Sequence, residues 1–237
     1  MMTAVKYVIA ATLAMTVLGC ALPAKHSAGD VRQKIATAYG IQAFGQVEQI
    51  RYTFNVQLGD KRVERHWTWW PQQDRVEFRP GGDVERAVQY ARADLDSDRS
   101  GNLKELDAKF INDQYWLLFP YHLVWDRQTT VEEVGHRPMP IGTGKATCVV
   151  VTYPPSGGYT PGDVYELFVD EQSRLLQWIY RKGGAAEPTR IATWEEHRKI
   201  GPITLALEHR GPDDTFRVWF TGVSVKLKGA DQWIAAN

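Results

Sequence analysis

Asp96 to Asp107 reads DSDRSGNLKELD, and its residue types fall in the order of a calcium-binding loop. Asp96, Asp98, Ser100 and Asp107 put oxygens at positions 1, 3, 5 and 12, the carbonyl of Asn102 serves position 7, and Gly101 at position 6 permits the sharp turn. Ca2+ takes about six to eight such oxygens. Three features depart from the pattern: the last position is Asp rather than the longer Glu, Lys104 stands at position 9, and the loop occurs once. The competing reading is a solvated connection between helices, where Asp, Ser, Gly and Asn are common for their turn-forming chemistry. If Ca2+ binds here, its expected role is structural, pinning an inserted helical hairpin.

Other chemistries find less support. IGTGKAT at 141–147 lacks a phosphate-loop pattern, because Met139 stands where the first Gly is needed and Ala146 where Ser or Thr is needed. There is no H-E-x-x-H, G-x-S-x-G or C-x-x-C. Glu195-Glu196-His197 could supply part of an acid–base set, but nothing pairs it with a nucleophile. His66 and His197 fall on polar strand faces and read as surface residues. Catalytic residues are therefore expected to be none. With 28 basic and 28 acidic residues, the chain has no cationic excess for nucleic acid.

The first twenty residues end in Val17-Leu18-Gly19-Cys20 after an apolar run from Tyr7 to Leu18, with Lys6 ahead of it. The run is too short to span a bilayer and reads as a signal segment, 1–19. The tetrapeptide resembles a bacterial lipobox, with Cys20 as the lipid attachment site. A lipid there anchors a chain to a membrane surface without crossing it. Ala21, rather than Asp, points to the periplasmic face of the outer membrane by the sorting rule of enteric bacteria. Residues 20–30 read as a tether, and 31–237 as one domain. With Cys20 lipidated, Cys148 has no disulfide partner, and its apolar neighbours Val149 to Val151 make it a buried, inert thiol.

The elements that must position any site alternate in character. Asp30 caps a helix expected to reach about Phe44, with Val31, Ile35, Ala38 and Tyr39 on one face. Period-two alternation then marks a strand from Ile50 to Leu58, a second from Val63 to Trp69, and a third at 74–80. Residues 83–114 break the pattern: 83–95 and 103–116 read as helices flanking the acidic loop. Tyr115 to Trp125 and 129–134 read as strands, the first interrupted at Pro120. Strands follow at 146–153, 163–170, 174–182, 189–196, 203–209 and 215–226. The class is α+β: a strongly curved antiparallel sheet, a long N-terminal helix, and a helix–loop–helix insertion.

The stretch YELFVDEQSRLLQWIYR, Tyr165 to Arg181, shows a strand ending in Val-Asp, a turn, and a strand opening Leu-Leu. Following an exported helix and leading into a long meander, it resembles the LolA/LolB-like group of periplasmic lipoprotein carriers. That resemblance implies an open half-barrel around a helical plug, whose hollow binds acyl chains. No residue here matches the functional Arg of the soluble carrier or the protruding apolar loop of the lipidated acceptor. The expected function is non-catalytic binding of a lipid or lipoprotein acyl chain at the sheet's concave face. Tyr52, Phe54, Trp67, Trp69 and Trp178 are the candidate wall. The same residues could instead simply pack against the N-terminal helix. The alternatives are a calcium-stabilised protein-interaction module without lipid cargo and an unrecognised envelope hydrolase.

Overall fold

The computed structural model describes residues 28–213 and 215–236; the signal segment, Cys20 and the tether up to residue 27 lie outside the described residues. The fold is α+β with two antiparallel sheets. Helix α1 (Ala28–Ala38) leads through a short 3-10 turn into β1 (Val47–Leu58), β2 (Lys61–Trp70), β3 (Arg75–Arg79) and β4 (Val88–Ala91). A long helix, α2 (Asn102–Trp125), follows. Then come β5 (Thr130–Pro138), β6 (Lys145–Thr152), β7 (Val164–Val169), β8 (Leu175–Arg181) and β9 (Arg190–Thr193). The chain closes with β10 (Glu195–Ile200), β11 (Ile203–Arg210), β12 (Phe216–Leu227) and β13 (Trp233–Ala235). The first sheet runs β10-β11-β12-β1-β2-β3-β4, with β13 added beside β12, and the second runs β5-β6-β7-β8-β9.

The expected single half-barrel sheet is thus two sheets. Alternation identifies strands and their inner faces but not which strands pair, so one meander and two look alike in sequence. The chain changes sheet at Trp194, a fully buried residue between β9 and β10. There Thr193 accepts at its carbonyl from His209 Nδ1 at 3.0 Å, and its hydroxyl accepts from the Arg210 amide at 2.9 Å.

The expected long N-terminal helix is short. It buries Val31, Ile35, Ala36 and Tyr39 and ends at Ala38, because Gly40 takes φ +89°. A Cβ at Gly40 would sit 2.5 Å from the carbonyl oxygen of Pro202, so only glycine lets β11 approach this closely. The long helix is α2 instead, and it absorbs the expected strand at 115–125. That run is apolar all round because a helix clamped between two sheets has no solvent face. Leu117, Leu118, Phe119, Tyr121 and Leu123 are all buried. The expected helix at 83–95 is also corrected. Val84 and Val88, its proposed apolar stripe, are exposed, and residues 88–91 form an edge strand that turns Tyr90 inward. The insertion is therefore an edge strand and a helix, rather than two helices.

Candidate ligand cavity

Helix α2 carries two buried aspartates and is followed at once by a third, and each is held by several side-chain donors. Asp107 is fully buried and accepts from Tyr90 Oη and Arg92 Nε, both at 3.0 Å, and from Tyr159 Oη. Asp113 accepts from Arg65 Nε and Nη2, both at 2.6 Å, and from Trp67 Nε1 at 2.8 Å. Asp126, one residue past the helix, accepts at a single oxygen from Tyr115 Oη, Tyr153 Oη and His122 Nδ1, at 2.9, 2.8 and 3.1 Å. Burial pushes the Asp126 carboxyl up, but these donors outweigh it and hold the group below the usual carboxylate value. Arg32 of α1 adds a clamp by donating to the carbonyls of Leu123 and Thr129. A buried carboxylate without such partners would cost several kcal/mol, roughly 3–5, so these contacts fix where the helix lies.

So fixed, α2 bounds a cavity of about 660 Å³ together with β1, β2 and β12 of one sheet and β7, β8 and β9 of the other. Phe54 and Val56 from β1 face Phe216 and Val218 from β12, while α2 contributes Ile111 and Trp116. Trp178 of β8 meets Trp116 edge-on at 4.6 Å and, with Tyr165, forms the wall of the second sheet. The apolar face runs outward along β1 from Phe54, which is buried, through Val56 to Leu58, which is 47% exposed. Val63, across from Val56, is exposed as well. The cavity thus passes from a closed aromatic end to an open aliphatic mouth. Its volume lies within the usual span of small-molecule sites, about 300–1,000 Å³.

A second cavity, of about 260 Å³, lies beyond Ile111, Tyr115, Tyr159 and Thr160, which line both. Trp69, His122, Trp125 and Asp126 help to form it. Of the five wall residues expected from sequence, Phe54 and Trp178 line the larger cavity and Trp69 the smaller. Tyr52 and Trp67 are packed into the core, Tyr52 edge-on to Phe220 at 5.7 Å and Trp67 against Phe110 at 5.4 Å. Trp116, Tyr165, Phe216 and Val218 were missed as wall. Trp116 was hidden by reading 115–125 as a strand. The Phe216, Val218, Phe220 alternation was legible, but nothing in it says which space the face borders.

The residues of the acidic loop do not converge. Asp98 accepts from the amides of Ser100 and Leu103, at 3.0 and 2.8 Å, and Ser100 Oγ accepts from the Asn102 amide at 3.2 Å. These contacts cap the start of α2, where the first amides have no partner within the helix. Asp96 is fully exposed and pairs with Lys104 at 3.1 Å. Asp107 turns inward to Arg92 and the two tyrosines. Among the described residues, no group of three or more His, Cys, Asp or Glu side chains is placed to hold a metal ion.

The polar sets considered for catalysis are dispersed too. Glu196 pairs with Arg198 at 2.5 Å and Glu195 lies 3.7 Å from Arg210. His197 is half-buried rather than a surface residue, its Nε2 2.8 Å from Tyr39 Oη, and burial lowers its pKa. Cys148 is buried, and burial, with Glu166 nearby, pushes its thiol up to about 11, far from a reactive thiolate.

No family model and no curated protein matches the chain. Solved structures are similar to it at low identity. The crystal structure of a DUF1329 family protein from Desulfovibrio piger ATCC 29098 superposes with a TM-score of 0.43 and 9% identity, over 85% of this chain and 95% of that one. An outer membrane lipoprotein-sorting protein domain from Vibrio parahaemolyticus superposes with a TM-score of 0.46 and 8% identity, over 87% and 96% of the two chains. Similarity at this level assigns the chain neither a family nor an activity.

Proposed function

We propose that this is a cell-envelope lipoprotein that binds an apolar ligand, a lipid or a lipoprotein acyl chain, without catalysis. The observation that carries this reading is the 660 Å³ cavity between the sheets, with aromatic side chains at its closed end and exposed Leu58 and Val63 at its mouth. A ligand chain laid along Phe54, Val56 and Leu58 would remove apolar surface from water on both sides, at roughly 25 cal/mol per Å² before the cost of ordering. Lipidation at Cys20 would hold the chain at the membrane from which such a ligand comes.

Ala108 lines the same cavity from an exposed position on α2. An Ala108→Trp variant should fill the mouth without overpacking the core. Wild-type protein is expected to bind the neutral probe N-phenyl-1-naphthylamine and to yield lipid on extraction. The variant should melt like wild type and lose both. Equal probe binding by the two proteins would place the ligand elsewhere. Palmitate labelling of wild type against Cys20→Ser tests the anchor separately.

A further inference from the structure

Two arginines lie over phenylalanine rings that line the large cavity, and the fold treats them differently. Arg65 is 4.8 Å from the Phe54 ring and is neutralised by the bidentate contact with buried Asp113. Arg190 is 4.1 Å from the Phe216 ring and makes no ion pair with any described residue. The exposed Asp213 feels its charge, since Arg190 adds to the lowering of the Asp213 pKa that Thr215 chiefly causes. A guanidinium held over an apolar wall, with no ion pair among the described residues, is available to an incoming anion.

Sheet register sets the position of this charge. Tyr180 of β8 pairs with Tyr165 of β7 on one side and Arg190 of β9 on the other, and Trp178 pairs with Leu167 and Ala192. Directly paired residues share a face, and so do residues two apart along one strand. The cavity face of the second sheet therefore reads, from inside outward, Trp178, then Tyr180 with Arg190 beside it, then Lys182. Trp178 is 2% exposed, Tyr180 and Arg190 are half-buried, and Lys182 is exposed. Lys182 also has no ion pair with a described residue. The one carboxylate among the described lining residues, Asp163, already accepts from Tyr180 Oη at 3.0 Å and from the Gly183 amide at 2.7 Å. Across the cavity the first sheet runs from buried Phe54 to exposed Leu58, and its one charged lining residue among those described, Arg65, is already paired with Asp113. The path changes from aromatic to aliphatic to cationic over a few residues, which is the pattern of a molecule with a hydrocarbon tail and an acidic head.

We infer that the ligand of the large cavity is an anionic amphiphile, with its tail against Phe54, Trp116 and Trp178 and its carboxylate or phosphate head held at the mouth by Arg190 and Lys182. This rests on the apolar-ligand reading above and adds the charge of the head. It also gives a direction of entry, tail first, because the cations stand at the mouth and the closed end is apolar.

The test is displacement of bound N-phenyl-1-naphthylamine from the full chain by matched pairs of ligands. Palmitate is compared with methyl palmitate, and lysophosphatidic acid with the monoacylglycerol of the same chain. The acids are expected to compete about tenfold better than their neutral partners at low salt, the size of a charge-assisted hydrogen bond. The pair with the larger ratio distinguishes a free fatty acid from a phospholipid head. In Arg190→Gln/Lys182→Gln that ratio should fall to about one while the neutral ligands bind as before. Arg190→Lys should keep most of it. Equal competition by acid and neutral ligand in wild type overturns the acidic head and leaves the apolar cavity standing. Failure of every ligand overturns both. A ratio unchanged in the double variant overturns the assignment to Arg190 and Lys182.

Discussion

The larger cavity and the smaller one meet at Ile111, Tyr115, Tyr159 and Thr160, yet their walls differ in how the nearby carboxylates are matched. In the larger one, the aromatic end is apolar except for Trp178 Nε1, which is buried without a hydrogen-bond partner among the described residues. Its buried charge pair, Arg65 with Asp113, is already complete. In the smaller one, Asp126 is satisfied by three donors, but Trp69 Nε1 and His122 Nε2 are buried without a hydrogen-bond partner among the described residues. A buried donor left alone costs about 1–3 kcal/mol, so that space suits water or a polar group. One helix thus borders an apolar site and a polar one. The difference comes from whether its carboxylates are matched by arginine or by tyrosine and histidine. An Arg–Asp pair is a closed unit with its donors and acceptors turned to each other. A His–Asp pair turns only one ring nitrogen to the carboxylate and leaves the other to find a partner of its own.

The sharpest way to break this contrast is to remove the closed unit. Asp113→Ala leaves Arg65 and the Trp67 indole without their buried acceptor and should cost about 3–5 kcal/mol, read from chemical denaturation. Probe binding should weaken with it, because the cavity is shaped by where α2 rests. A smaller but pH-dependent effect belongs to the same side. His209 is fully buried beside Trp116 and Trp194, and its pKa is pushed down to about 3 from 6.5, chiefly by burial. The unfolded chain takes up that proton as the pH drops below 6.5 and the folded chain does not, so acid favours unfolding. Stability should fall by roughly 1.4 kcal/mol per unit, about 3 kcal/mol by pH 4. His197, also lowered by burial, adds to the slope. His209→Gln should flatten most of it; an unchanged slope would mean that the ring is reached by water.

On the polar side the sign is the same and the window lower. The Asp126 pKa is depressed, so its contribution is complete above the ordinary carboxylate value of 3.8 and is lost as the pH falls below it. Asp126→Asn keeps the shape and removes the charge. It should cost about 1–2 kcal/mol at neutral pH and progressively less as the pH falls below the ordinary carboxylate value. It should leave probe binding in the larger cavity intact. Loss of probe binding would show that the two spaces act as one.

Much of this architecture was legible, and the misreadings share a cause. Strands β1 and β12 bury alternate residues over 50–54 and 216–220, and this alternation survives in the sequence. The run Tyr115 to Trp125 has no wet face, so its period vanished and its aromatic content suggested a strand. Val84, Ala87 and Val88 showed the converse, a helical spacing that nothing buries. The candidate wall was half readable for the same reason. Phe54 and Trp178 lie on dry faces, as do Tyr52 and Trp67, and only the placement of α2 separates residues that border space from residues that border each other.

The smallest expected effect concerns the loop ahead of α2, where sequence suggested a cation and the structure shows caps. Asp107, the twelfth residue of DSDRSGNLKELD, is committed to Arg92, Tyr90 and Tyr159 on the inner side of the helix. Asp98 and Ser100 are committed to the amides that begin it. To bind Ca2+ with Asp107, the second turn of α2 would have to rotate a buried carboxylate out of its partners. Millimolar calcium should therefore leave the melting temperature of wild type unchanged, and so should Asp96→Ala, whose contact with Lys104 is fully in solvent. Asp98→Ala should lower the melting temperature slightly, with or without calcium, because it removes a cap rather than a ligand. The order of the two aspartate variants is the discriminating result. A cation site makes Asp96 and Asp98 matter together and only when calcium is present, whereas a cap makes Asp98 matter alone and always.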